Sequence, residues 1–197
     1  MAKFIVEGGH RLKGEIVPQG AKNEALQIIC ATLLTTERVV LHNVPIIADV
    51  MQLLELMQKM GVKVERLGDD CFAIQADEVD LEYLRTSDYH KRCRRLRGSV
   101  MMIGPLLARF GVGYIPKPGG DKIGRRRLDT HFIGFQKLGA QFTFNEENDT
   151  FQIHCKEGLK GTNMLLDEAS VTGTANIIMA AVLAGLIMSC ITKPKAK

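Results

Sequence analysis

The feature that most constrains this chain is that it repeats itself. Three segments share a polar or small-residue start, a mixed helical stretch and a β-branched run: "AKNEALQIICATLLTTERVVLHNVP" from Ala21, "LRGSVMMIGPLLARFGVGYIPKPGG" from Leu96, and "TGTANIIMAAVLAGLIMSCITKPK" from Thr172. The first two are each followed by a second helical pattern. In "DVMQLLELMQKMGVKVER", Leu53, Leu54, Met57 and Met60 share one face at helical spacing, and in "DTHFIGFQKLGAQFTF" Phe132, Phe135 and Leu138 do the same. Both patterns stop at a glycine, Gly61 or Gly139, as a left-handed cap requires, and run into an alternating strand. A further strand, "CFAIQA" or "TFQIHC", closes each unit. The period is about 75 residues, each copy reading helix, strand, helix, strand, strand, with another strand leading in. Units of this kind bury their apolar faces against one another. One α/β domain is therefore expected rather than a string of domains, with the third copy breaking off after its first helix.

The remaining bulk properties narrow the class. Five cysteines, Cys30, Cys71, Cys93, Cys155 and Cys190, are well separated and form no CxxC pair. That argues against a disulfide framework or zinc site and for a reducing, cytoplasmic setting, with the cysteines as small buried hydrophobes. The apolar run Ile177–Met188 is shorter than the roughly 18 residues of a spanning helix and reads as a buried helix interior. Basic residues cluster twice, at Lys91, Arg92, Arg94, Arg95 and Arg97, and at Lys122, Arg125, Arg126 and Arg127. The first cluster reads equally as a solvated face or an anion-facing surface. A nucleic-acid module is the weaker reading, because the net charge is only +4 and aromatic residues are not interleaved with the basic ones.

The candidate chemistry lies at the mouths of the helices. Helix N-termini carry unpaired N–H groups and a positive dipole end, which favour anions. "QGAKNEAL" puts Lys22 and Asn23 at the first mouth, although a capping role for Asn23 is an ordinary alternative. Arg97 opens the second copy at the matching place, and Ser170, Thr172, Gly173 and Thr174 open the third, where a hydroxyl is first of all an N-cap. Between the second copy's strand and second helix lies "PKPGGDKIGRRRLDTH", with glycines that permit close backbone approach and Arg126 suited to a bidentate anion contact. Asp129 there reads either as an N-cap or as a ligand residue. Asp121, beside so many cations, has its acidity strengthened unless burial or a polyanionic substrate offsets the field. Unaided, the residues indicate an anion-binding α/β protein suited to a phosphorylated substrate.

In combination, "FIVEGGHRLKGEI", "GAKNEAL", "HNVP", "GPLLARFG", "PGG" with "IGRRRLDTH", and "SVTGTANIIMAAVLA" closely resemble the enolpyruvyltransferase family, on its UDP-N-acetylglucosamine 1-carboxyvinyltransferase branch. The resemblance runs from about Lys3 to about Ala184, and Lys22-Asn23 separates the chain from the sister EPSP synthases, which typically carry Lys-Ser. It implies an inside-out α/β barrel built of repeated βαβαββ units, here truncated in the third. Residues 1–20 would belong to a second domain, and 21–197 would form the first domain, incomplete at its C-terminus. The implied reaction moves the enolpyruvyl group of phosphoenolpyruvate to the 3-hydroxyl of UDP-N-acetylglucosamine, the first committed step of peptidoglycan synthesis, with no cofactor, metal, nucleic-acid or membrane partner. By motif, Lys22, Asn23 and Arg126 would contact phosphoenolpyruvate. Asn23, Arg97, Arg126, Arg127, Leu128, Asp129, Thr130, Ser170 and Val171 would line the nucleotide-sugar site.

Two departures accompany it. Asp121 stands where most members carry a cysteine general acid that fosfomycin alkylates, which implies an aspartic proton donor and insensitivity to that epoxide. The family's Ser-Val-Gly turn reads Ser170-Val171-Thr172-Gly173. Family members also run to roughly twice this length, so the chain is expected to be a partial form with little or no activity. It could instead be a non-catalytic nucleotide-sugar-binding remnant, and its truncated end could favour self-association.

Overall fold

The computed structural model describes residues 3–116, 128–146, 149–184 and, for the backbone alone, 189–191. The first unit consists of helix α1 (Lys22–Ala31), strand β1 (Val39–Leu41), helix α2 (Ala48–Lys59) and strands β2 (Lys63–Arg66) and β3 (Phe72–Gln75). Helix α3 (Ser87–Arg95), N-capped by Thr86 Oγ1, which accepts from Tyr89 N at 3.2 Å, leads into the second unit. That unit comprises a 3-10 turn (Arg97–Met102), α4 (Ile103–Phe110), β4 (Val112–Pro116), α5 (Asp129–Lys137), β5 (Gln141–Asn145) and β6 (Thr150–His154). Strand β7 (Asn163–Leu165), α6 (Val171–Ala181) and β8 (Ser189–Ile191) belong to the third.

The repeat expected from the sequence is present down to individual hydrogen bonds. Both complete units form antiparallel sheets in the order first, third, second strand: β1-β3-β2 and β4-β6-β5. Gly61 and Gly139 adopt φ of +89° and +96°, the left-handed conformation the caps demand. After α2, Gly61 N donates to Gln58 O and Val62 N to Met57 O; after α5, Gly139 N donates to Gln136 O and Ala140 N to Phe135 O. These are the two bonds of a Schellman motif, formed twice. In each unit the carbonyl preceding the glycine then accepts from the segment that follows the closing strand, Asp80 N on Met60 O and Lys160 N on Leu138 O. The lead-in strand differs. Among the described residues it forms only in the third copy, where β7 pairs in parallel with β8 across α6.

The core forms because each unit has an apolar face it cannot cover alone. Leu53, Leu54 and Met57 of α2, with Met60 beyond it, are buried, as are Phe135 of α5 and Leu138; Phe132 is partly covered. Each such burial contributes roughly 1.5–3 kcal/mol. The leading helices of the three copies pack together, α1 against the 3-10 turn and α6, and α4 against α6, with α5 also on α6. Helices thus fill the centre while three small sheets stand apart from one another, which is the inside-out α/β arrangement.

Arg109 of α4 locks the first two copies. Its Nη1 donates to the carbonyls of Leu33 (3.1 Å), Thr35 (3.3 Å) and Ala76, and its guanidinium lies 4.8 Å from the Phe110 ring centre.

One expectation changes. Helix α6 is not a wholly buried interior: Ile177, Met179 and Ala180 are covered, but Val171, Ile178 and Val182 recur on an exposed face. The N-terminal segment packs on nothing, with Phe4, Ile5, Val6, Leu12, Ile16 and Val17 all 80–93% exposed. No helix among the described residues is long and apolar enough to cross a membrane. Cys30, Cys93 and Cys155 are buried free thiols, as expected of small hydrophobes, and Cys71 is free and half-buried.

Candidate active site

Helix α1 begins without a side-chain cap. Its N-cap residue is Ala21, so Asn23 is exposed and does not cap. This removes the ordinary alternative for Asn23 and leaves the first-turn N–H groups open toward solvent. Lys22 Nζ meets Asp49 Oδ2 of α2 at 2.7 Å, with both side chains nearly half exposed. Such a pair is weak in water and readily exchanged for a stronger anion. A cavity of about 270 Å³ opens beside this mouth, lined in part by Gly20, Ala21, Glu24, His42 and Asn43. Gly20 is obligatory here, because an added Cβ would sit 1.9 Å from the Asn43 carbonyl oxygen.

The second copy's opening residue, Arg97, is half-buried at the start of the 3-10 turn. The first basic cluster divides by role. Arg92 is structural, binding Asp88 Oδ2 at 2.9 Å and Glu55 Oε1 of α2 at 2.8 Å. Lys91 and Arg95 form a solvated face, and the Arg97 charge acts on His131 of α5.

The mouths of α5 and α6 are held side by side. Helix α5 starts at Asp129 with Leu128 at the N-cap and no side-chain cap, so the N-cap reading of Asp129 gives way. Asp129 instead occupies the first helical position, where its charge complements the dipole. Leu128 and Thr130 are buried, and Thr130 Oγ1 donates to Asp167 Oδ1 at 2.7 Å, tying α5 to the loop that enters α6. Ser170 caps α6, its Oγ accepting from Gly173 N at 3.1 Å, while Thr174 Oγ1 donates to Ser170 O at 2.7 Å. Val171 is 70% exposed at the first position. Gly173 lets the two helices approach: a Cβ there would lie 2.9 Å from Thr130 Cγ2. Asp121, Arg126 and Arg127, with the rest of 117–127, lie outside the described residues.

Sequence reasoning missed four residues that shape these mouths. Asp49 and Asp167 read as ordinary helix-start and loop acids until their partners are seen. His131 and Asn176 are both buried, at 2% and 0% exposure. Burial and the Arg97 charge push the His131 imidazole down to about 4, so it is neutral at pH 7. For Asn176 a signal existed: a lone amide inside the apolar run "ANIIMAAV" must find hydrogen-bond partners in the core.

The family model for EPSP synthase (3-phosphoshikimate 1-carboxyvinyltransferase) matches residues 6–195. Over 184 residues the chain is 65% identical to the UDP-N-acetylglucosamine 1-carboxyvinyltransferase of Bacteroides fragilis and 61% identical to that of Bacteroides thetaiotaomicron, covering 93% of this chain and 42% of each relative. The enzyme of that name from Bradyrhizobium diazoefficiens is 45% identical over 183 residues, 92% of this chain and 40% of that one. The chain therefore spans less than half the length of the curated relatives it matches. Among solved structures, the enolpyruvyl transferase NikO from Streptomyces tendae superposes with a TM-score of 0.68 at 17% identity, covering 90% of this chain and 40% of that one. The EPSP synthase of Acinetobacter baumannii gives 0.66 at 16%, covering 93% and 41%. These two likenesses establish the fold.

Proposed function

Since the chain belongs to the EPSP synthase family of enolpyruvyl transferases, we propose that it is the leading part of a UDP-N-acetylglucosamine 1-carboxyvinyltransferase, the part that holds the nucleotide sugar and one side of phosphoenolpyruvate. The observation that carries this reading is the apposition of the α5 and α6 mouths, fixed by Thr130–Asp167 and the Thr130–Gly173 contact. Two helix N-termini and Arg97 suit a diphosphate. The exposed, uncapped α1 mouth, with Lys22 in an exchangeable ion pair, suits a second, smaller anion. Identity of 65% to relatives named for UDP-N-acetylglucosamine, against 16% to a solved EPSP synthase, supports the sugar acceptor over shikimate phosphate.

The chemistry is an addition and elimination. Carbon 3 of phosphoenolpyruvate takes a proton while the sugar 3-hydroxyl oxygen adds to carbon 2 and loses its own proton. The tetrahedral adduct then expels phosphate and returns a proton from carbon 3. Cationic groups help by holding two mutually repelling polyanions at reacting distance. In this reading Lys22, Asn23 and Arg126 hold phosphoenolpyruvate, and Asn23, Arg97, Arg126, Arg127, Leu128, Asp129, Thr130, Ser170 and Val171 hold the nucleotide sugar. Asp121 gives the proton to carbon 3. The exposed apolar segment ahead of α1 fits a strand that completes a second domain, supplied in the relatives by the half this chain does not span.

Calorimetry with UDP-N-acetylglucosamine, beside a phosphate-release assay with both substrates, tests the reading. Binding without turnover is expected of this chain. No binding overturns the reading, and robust turnover overturns the claim that the other half is needed. For Asp121, the chain joined to the second half of a close relative should resist fosfomycin, since a carboxylate is a far poorer nucleophile than a thiolate toward an epoxide. Asp121→Cys should restore time-dependent inactivation. Inactivation of the unsubstituted protein removes the assignment.

A further inference from the structure

The leading helix of the second copy is broken, and a side chain from the third copy fills the break. In a continuous α-helix the Gly104 N–H would bond the Val100 carbonyl, four residues earlier. Here Gly104 N donates to Asn176 Oδ1 at 2.8 Å, and Asn176 Nδ2 donates to Val100 O at 2.8 Å. The carboxamide stands in for the missing bond, accepting on one side and donating on the other. Pro105 lies just beyond, without an N–H to extend the ladder back toward Met101. The segment before the break winds as the tighter 3-10 turn that starts at Arg97. Gly104 is shaped to the insertion, because a Cβ would fall 2.5 Å from Asn176 Oδ1.

The same amide reaches a third element. Gly104 N–H can only donate and Val100 C=O can only accept, so together they fix which end of the carboxamide is oxygen. One Nδ2 hydrogen goes to Val100, leaving the other for His131 Nδ1 on α5, 3.0 Å away. His131 Nδ1 is then an acceptor, and the ring carries its proton on Nε2. Gly134 of α5 lets the helices close around this joint, since a Cβ there would lie 2.2 Å from Ile177 Cδ1.

We propose that Asn176 is a positioning residue for the nucleotide-sugar site: it holds the break before α4 open, locks His131 as the Nε2–H tautomer, and so sets Arg97 and the α5 mouth against the α6 mouth. Arg97 opens the 3-10 turn in which the amide engages the Val100 carbonyl, three residues on, and His131 lies two residues past Asp129. A side chain that touches no ligand thereby fixes two groups that do. The proposal rests on the nucleotide-sugar reading above.

The test uses the full chain with 15N-labelled histidine. At pH 7 the ligand-free protein should show His131, assigned through His131→Gln, with an unprotonated Nδ1 and a protonated Nε2. In Asn176→Asp, which keeps the acceptor for Gly104 but loses both donors, the tautomer should switch to Nδ1–H. UDP-N-acetylglucosamine affinity should fall about tenfold or more, equivalent to about 1.4 kcal/mol, while unfolding stays cooperative. Asn176→Ala should lower affinity similarly. A wild-type Nδ1–H tautomer overturns the proposal without any variant, which covers the case in which the substitutions prevent folding. A folded variant with unchanged affinity also overturns it. Absence of UDP-N-acetylglucosamine binding by the unsubstituted chain removes the site reading, and with it the positioning role, whereas a wrong tautomer removes the joint alone.

Discussion

The two complete units are nearly the same object where they face away from the site and different where they face it. Their sheets share one strand order, and their second helices end in the same pair of bonds around Gly61 and Gly139. Their mouths diverge. The connection from β1 to α2, His42–Ile47, is half as long as the one from β4 to α5, residues 117–128, which carries Asp121 and the arginines. The first leading helix is one regular α-helix with an open mouth, while the second is broken and plugged by Asn176. The two units therefore close in the same way and differ in connector length and in how each leading helix begins.

The comparison breaks most sharply at Gly104. Alanine there would place a Cβ 2.3 Å from the Asn176 backbone oxygen, a contact no rotamer relieves, so Gly104→Ala should destabilise by about 3 kcal/mol or more. Gly98→Ala meets only the movable end of Leu26 at 3.0 Å and should cost under about 1 kcal/mol. Equal urea midpoints for the two variants would show that the break is not held as described.

His131 gives the second-largest effect and has no counterpart in the first unit. Its folded-state value of about 4 lies below the unfolded 6.5, so the unfolded chain binds the extra proton between these limits. The resulting contribution, of order 3 kcal/mol, is complete above pH 6.5 and is lost as pH falls from 6.5 to 4. Chemical denaturation against pH should show that slope, and His131→Gln should make it shallower, leaving the part due to His90, which burial also shifts downward.

Arg109 joins the two units, so removing it should loosen one against the other. Arg109→Ala strands the Leu33, Thr35 and Ala76 carbonyls and should cost about 2 kcal/mol by denaturation, with Arg109→Lys intermediate because a point charge cannot span three acceptors. The smallest effect on stability belongs to the Lys22–Asp49 pair. Lys22→Ala should change stability by less than about 0.5 kcal/mol, as an exposed ion pair would. The same variant should weaken phosphoenolpyruvate binding in a calorimetric titration, which separates a ligand-facing lysine from a structural one.

Much of this was legible in the chain itself. Gly61 and Gly139 announce their caps, because an L side chain strains the left-handed turn that ends each helix. The apolar spacing of Leu53, Leu54, Met57 and Met60 fixes which face α2 buries. The repeat implies that three leading helices must share one core. These are local or periodic constraints, and neighbouring residues state them. Tertiary structure decided the rest. Neither Asn23 nor Asp129 caps its helix, and the roles of Asp49 and Asp167 depend on partners from separate elements. Asn176 completes a backbone bond between two residues more than seventy positions away. A buried polar group in an apolar run announces that it needs partners, but a linear pattern cannot say which ones, because hydrogen bonds are satisfied by proximity in space and not by spacing along the chain.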